Sequence, residues 1–187
     1  MRVVVGITGA SGAIFGVRAL EALNTLSVET HLILSRWSRT TITHETGYSL
    51  DQVEKLASFV HHEDNQSASI SSGSFKTEGM IVAPCSMKTL AAIRIGYGDT
   101  LICRAADVVL KERRKLVLVA RESPFSEIHL ENMLALTRMG AVIFPPVPAF
   151  YNRPKDIDAM VNHIVGRLLD QFGLEMPGMA RWSGFDS

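Results

Sequence analysis

The run Val3-Val4-Val5, followed at once by Gly6-Ile7-Thr8-Gly9-Ala10-Ser11-Gly12-Ala13, narrows the possible folds more than any other feature of the chain. Three consecutive β-branched apolar residues read as a parallel strand buried on both faces. Ile14, Val17, Leu20 and Leu23 then share one helical stripe, so a strand, a turn of small residues and a helix come in that order. The alternation continues. Further strands are expected at Thr30 to Leu34, Met80 to Ala83, Leu116 to Ala120 and Ala141 to Phe144. Helical patterns lie at Arg36 to Glu45, Thr89 to Ile95, Leu101 to Arg113, Ser126 to Met139 and Ile157 to Phe172. This order predicts an α/β chain with a doubly wound parallel sheet.

A length of 187 residues with 47% hydrophobic content suffices for one domain with a substantial core and is short for two. The expectation is a single domain over residues 1–187, with an irregular tail from about residue 173. Nineteen basic and nineteen acidic residues cancel, so no net field draws the chain to nucleic acid or an anionic membrane. Phosphate binding must therefore be local. Two cysteines, Cys85 and Cys103, are too few for a disulfide scaffold or a zinc cluster and fit a reducing compartment. No apolar run reaches the roughly 20 residues of a membrane helix, and the first strand starts without a cleavable leader. The expected location is cytoplasmic, or mitochondrial if a transit peptide has been removed. The six histidines, the adjacent His61 and His62 among them, show no metal-ligand spacing and read as surface or packing residues, so no metal is expected.

In doubly wound sheets the ligand crevice lies beyond the carboxyl ends of the strands, where strand order reverses. The turn Gly9 to Ala13 lets backbone approach an anion at a helix N-terminus. Its spacing departs from the dinucleotide fingerprint, and Ser35 rather than an acidic residue follows the second strand. A mononucleotide phosphate fits; a tight turn without ligand is the alternative. Pro84-Cys85-Ser86-Met87-Lys88-Thr89 offers hydroxyls, backbone donors and one lysine for a ring or ribityl chain, with Cys85 read as a small buried thiol. Arg121-Glu122 ends a strand and suits an acid/base pair or a surface ion pair. Arg104 and Lys111 are seven apart and share a helical face suited to a phosphate, or mark a solvated helix end. The proline-rich loop Pro145 to Pro154 presents Tyr151 rigidly or is rigid for structural reasons alone. The polar interval His61 to Glu78 reads as a functional loop or an oligomer arm, and Arg181-Trp182 as a docked terminus or part of a site.

Taken together, Gly9-Ala10-Ser11-Gly12-Ala13, Ser71-Ser72-Gly73-Ser74-Phe75, Pro84 to Thr89, Arg104-Ala105-Ala106-Asp107 running into Lys111-Glu112-Arg113, and Pro145 to Tyr151 resemble one family over nearly the whole chain. These are the flavin prenyltransferases, the UbiX/Pad1 group of the flavin-binding Cys decarboxylase-like flavoproteins. The resemblance implies a flavodoxin-like, Rossmann-like domain, often assembled as a dodecamer. The implied reaction joins a dimethylallyl group from dimethylallyl monophosphate to N5 and C6 of reduced FMN, without metal. The product, prenylated FMN, would go to UbiD-type decarboxylases. Carried over by motif, Gly9, Ala10, Ser11, Ser35, Ser86, Met87, Lys88, Thr89 and Arg121 would hold FMN. Arg104, Lys111, Tyr151 and Arg167 would hold the allylic phosphate, from one subunit or shared with a neighbour, and Trp182 would wall the site. Glu122 would transfer the proton, with Ser11 in the proton path and Glu45 near the phosphate. Two rivals stand beside this reading: an FMN-dependent decarboxylase of peptidyl cysteine, with His44 as its histidine, and an FMN-binding accessory subunit of an aromatic-acid decarboxylase without chemistry of its own.

Overall fold

The computed structural model describes residues 1–184. Six parallel strands form one sheet: β1 (Arg2–Ile7), β2 (Glu29–Leu34), β3 (Phe59–His62), β4 (Gly79–Cys85), β5 (Lys115–Ala120) and β6 (Val142–Ile143). Seven helices connect or follow them among the described residues: α1 (Ala13–Thr25), α2 (Arg36–Glu45), α3 (Leu50–Leu56), α4 (Met87–Arg94), α5 (Leu101–Lys111), α6 (Glu127–Arg138) and α7 (Ile157–Asp170). The strand order is β3-β2-β1-β4-β5-β6.

The five strands expected from sequence are present, in the order 2-1-3-4-5 familiar from flavodoxin-like sheets. The sixth, β3, extends that order to 3-2-1-4-5-6, the Rossmann arrangement. Sequence reasoning passed over it because Phe59-Val60-His61-His62 is short, carries two histidines and is mostly exposed at the sheet edge. Helix α3 was missed as well. It is seven residues long and is fixed by a capping box, in which Ser49 Oγ accepts from the Gln52 N–H and the Gln52 side chain accepts from the Ser49 N–H.

Alternation along β1 divides the core. Val3, Val5 and Ile7 face a layer that includes Val17, Leu20 and Leu23 of α1 and Val165, Leu168 and Leu169 of α7. Val4 faces the opposite layer with Met80, Val82, Leu90 of α4, Ile102 and Ala106 of α5 and Leu136 of α6. Because both faces are covered, β1 and β4 carry near-continuous buried runs. Helices α1 and α7 thus lie on one side of the sheet and α4, α5 and α6 on the other. The segment from Ser71 to Glu78 is no free arm within this chain: Arg104 Nε donates to the Ser71 carbonyl (3.1 Å), Arg114 donates to the Gly73 and Phe75 carbonyls (2.6 and 2.8 Å), and Arg2 Nη1 donates to the Lys76 carbonyl (2.9 Å). Beyond α7 the described chain forms no further helix or strand. No helix among the described residues is long and apolar enough to cross a membrane.

Candidate functional site

Strand order reverses between β1 and β4, and the two following turns diverge to opposite faces, opening a crevice at the carboxyl edge. Thr8 ties its two walls together. This buried residue donates through Oγ1 to the Pro84 carbonyl (2.7 Å) and accepts from the Ser86 N–H (2.9 Å), while its own N–H reaches the same carbonyl (3.3 Å). Its signal in the sequence is a hydroxyl at the end of an otherwise apolar strand.

Three helix N-termini meet at this edge. Helix α1 starts from Gly12, whose φ of 100° suits glycine and which has no side chain to cap with. Glu45 at the end of α2 caps it instead: Oε2 accepts from the Gly12 N–H (2.8 Å) and the Ala13 N–H (3.4 Å). Burial works to raise the Glu45 carboxyl, but the Gly12 N–H, the Ser11 hydroxyl, the Ala13 N–H and the charge of Arg121 outweigh it and hold it below the ordinary range. Helix α2 is capped by Ser35, which accepts from the Ser38 N–H (3.1 Å), and the Arg36 N–H donates to Glu63 (2.6 Å). Ser86 caps α4, accepting from the Thr89 N–H (3.2 Å) and donating to the Thr89 hydroxyl (3.0 Å). A side chain at Gly9 would collide with Trp37, so the first turn lies flat against α2. Met87 packs on the neighbouring core and Lys88 is exposed. Ala10 and Ser11 complete the turn at the surface.

The electrostatic character of the crevice follows from these parts. Converging helix N-termini favour an anion, and serine and threonine hydroxyls line the way to it. Arg121 stands on the rim close enough to bias Glu45. Its neighbour Glu122 is half-buried and accepts from the Ser123 N–H (3.1 Å); among the described residues it forms no ion pair with Arg121. These residues suit a mononucleotide whose phosphate sits at a helix N-terminus.

The expected phosphate-binding residues are divided between the two faces. Arg104 and Lys111 lie on α5; Arg104 also pairs with Asp107 (2.8 Å), and Lys111 pairs with Glu112 beside Gly73. Since α5 runs back toward the amino edge, Lys111 is carried away from the crevice. Tyr151, Arg167 and Trp182 gather on the α7 side. Arg167 Nη1 donates to Asp170 Oδ2 (2.7 Å), and Arg181 Nη2 donates to Asp170 Oδ1 (2.8 Å), fixing the tail onto α7. Trp182 crosses the Tyr151 ring edge-on at 5.4 Å, so the aromatic of the tail is docked. A cavity of about 370 Å³ lies between residues 152–155, the first half of α7 and the segment Met176–Ala180. One chain therefore does not bring Arg104 and Lys111 together with Tyr151 and Arg167. Sequence reasoning also overlooked Glu63 and Asp170, which act through contacts between segments distant in sequence, and read His163 as no more than a surface or packing residue.

A family model described as Flavoprotein matches residues 1–169. The chain is 61% identical over 186 residues to a probable UbiX-like flavin prenyltransferase of Bacillus subtilis, covering 100% of this chain and 91% of that protein. It is similar to the crystal structure of a dodecameric FMN-dependent UbiX-like decarboxylase from Escherichia coli O157:H7, with a TM-score of 0.97, 62% identity, and coverage of 98% and 100%. AnUbiX (PadA1), solved in complex with FMN and dimethylallyl pyrophosphate, superposes with a TM-score of 0.98 at 56% identity, covering 99% of this chain and 98% of that one. With a six-stranded doubly wound sheet, a mononucleotide crevice at its switch point and this likeness along its whole length, the chain belongs to the UbiX-type flavin prenyltransferases of the flavoprotein family.

Proposed function

We propose that the chain transfers a dimethylallyl group from dimethylallyl monophosphate to N5 and C6 of reduced FMN, giving prenylated FMN. The observation that carries this reading is the meeting of the β1, β2 and β4 turns at one edge, with Arg121, Glu45 and Glu122 beside them. When bound, the reduced flavin supplies the nucleophilic N5 and C6. Gly9, Ala10, Ser11, Ser35, Ser86, Met87, Lys88, Thr89 and Arg121 hold it, the helix N-termini taking its phosphate.

The allylic carbon–oxygen bond breaks with its electron pair leaving on phosphate, so cations that hold that phosphate lower the barrier. Arg104, Lys111 and Arg167 serve this purpose, Tyr151 adds a neutral hydroxyl donor, and Trp182 walls the allylic chain. Their division between α5 and α7 supports a site completed by neighbouring copies, as in a dodecamer. Glu122 gives a proton to the prenyl double bond as its π bond opens and takes back the one released when the second carbon bond closes at C6, while Ser11 and Glu45 order the proton path. Residues 1–187 act as one domain, and the tail that starts at about residue 173 carries Trp182 to the substrate side. The product passes to a UbiD-type decarboxylase, in the cytoplasm or in mitochondria. The accessory-subunit and peptidyl-cysteine decarboxylase readings gain no specific support.

Anaerobic incubation of the purified chain with reduced FMN and either dimethylallyl monophosphate or diphosphate, followed by mass spectrometry of the extracted flavin, tests the assignment. A flavin heavier by one five-carbon unit is expected. FMN recovered unmodified with both donors, from protein that binds it, would leave a flavin carrier.

A further inference from the structure

Tyr151 meets α7 through its hydroxyl. Oη lies 3.1 Å from His163 Nε2, and the two rings cross at 81° with centroids 5.6 Å apart. His163 is only 8% exposed, one of few buried polar residues, and it belongs to neither the flavin turns nor the cationic residues discussed above. The phenol ring is held by Trp182 as well, so its hydroxyl has a defined place beside the imidazole.

A hydroxyl has one hydrogen to give and lone pairs to accept with, whereas ionised phosphate oxygens only accept. If Tyr151 binds the allylic phosphate, its one hydrogen goes to that phosphate. The hydroxyl oxygen can then meet His163 only as an acceptor. We propose that His163 is a positioning residue for the substrate phosphate: it carries a proton on Nε2, donates it in a hydrogen bond to Tyr151 Oη, and so aims the tyrosine hydrogen at the leaving group. With the proton on Nδ1 alone, Nε2 would capture that hydrogen and turn an oxygen lone pair toward the phosphate. The inference rests on the reading of Tyr151 as a phosphate ligand.

The test compares His163→Gln, His163→Met, Tyr151→Phe and the double variant H163M/Y151F, each as the full chain, with residual flavin content and assembly mass checked. Steady-state KM values for reduced FMN and for dimethylallyl monophosphate are measured separately. His163→Met should raise KM for the allylic phosphate about tenfold while leaving KM for FMN in place. His163→Gln, whose amide N–H can still donate, should recover most of that loss. On the Tyr151→Phe background, His163→Met should add no more than about twofold. A normal His163→Met enzyme beside an impaired Tyr151→Phe enzyme would overturn the role of His163 alone. A Tyr151→Phe enzyme indistinguishable from the parent would overturn the reading of Tyr151 and the inference with it. Equal losses in both His163 variants, extending to FMN, would mark a purely structural residue and also overturn it.

Discussion

Replacing Gly16 with alanine sets two effects of opposite sign against each other. In an exposed helix the exchange would stabilise α1 by about 1 kcal/mol, because alanine is the better helix former. Gly16, however, faces β4. A Cβ there would collide with the Ala83 carbonyl oxygen and lie 2.8 and 2.9 Å from Ile7 Cδ1 and Cγ1, where ordinary contact begins at 3.4 Å. Ile7 alone demands a retreat of about 0.6 Å, and the carbonyl, being backbone of a central strand, cannot swing aside. Overpacking typically costs about 1–3 kcal/mol, and a backbone obstacle argues for the upper part of that range. A net loss of about 2 kcal/mol is expected, or about 4–8 °C in Tm for a chain of this size. The displacement also reaches the crevice, because Ala83 precedes the Pro84 carbonyl that Thr8 grips. Thermal unfolding of the flavin-free protein at fixed concentration, with an FMN titration alongside, measures both effects. Gly47→Ala is the control, since a Cβ there meets nothing within 4 Å. A Gly16→Ala protein as stable as the parent, with unchanged FMN affinity, would refute the packing argument.

Thr8→Val keeps the shape but leaves the Ser86 N–H without its partner. A loss of about 1–3 kcal/mol and weaker FMN binding are expected, read by denaturant unfolding and flavin titration. Glu122→Gln should retain FMN and lose most turnover; mass spectrometry showing undiminished prenylation would remove Glu122 from the chemistry. Glu29 is held at about 2 by hydrogen bonds from Arg2 and His31, against an ordinary 4.5. With the folded value below the unfolded one, its contribution to stability is full above about pH 4.5 and is lost as pH falls toward 2, so Glu29→Gln should flatten the acid limb of a Tm-against-pH curve. Burial, and to a lesser degree nearby Cys103, pushes the Cys85 thiol far up, so iodoacetamide should label it only after unfolding. Labelling of the folded chain at Cys85 would contradict the packed turn.

The parts of the fold visible in the sequence are those whose cause is local. Val3 to Val5 and Met80 to Ala83 are apolar throughout because both sheet faces are covered, and that condition leaves its mark residue by residue. The mark is absent from β3, which is held by pairing of His31 with Phe59 and of Leu34 with His62 at an exposed edge rather than by burial. His61 illustrates the difference: it stacks on His31 at 5.1 Å, which decides between the surface and packing readings that its spacing along the chain left open. The start of α4 was displaced for a related reason. The expectation placed the start of α4 at Thr89, whereas the helix begins at Met87 because Ser86 turns its hydroxyl to the Thr89 N–H.

The candidate site divides along the same line. Its proposed flavin side consists of turns that directly follow strands, so Gly9 to Ala13, Ser35 and Ser86 to Thr89 are brought together by topology alone, and the doubly wound parallel sheet expected from the sequence already predicts their meeting. The phosphate side obeys no such rule. Arg104 and Lys111 share one helical face, as their spacing requires, but that helix packs on the opposite side of the sheet from α7 and Arg167. Within a chain the sheet itself separates them, and no loop movement carries a residue through it. On the proposed reading, a phosphate held by both groups needs a second copy to offer one of them, and assembly would then be part of the catalytic apparatus rather than an aid to stability. Dissociated subunits should accordingly keep FMN affinity and lose affinity for dimethylallyl monophosphate. Retention of both in a monomer at high dilution would mean that one of the two cation groups does not touch the substrate.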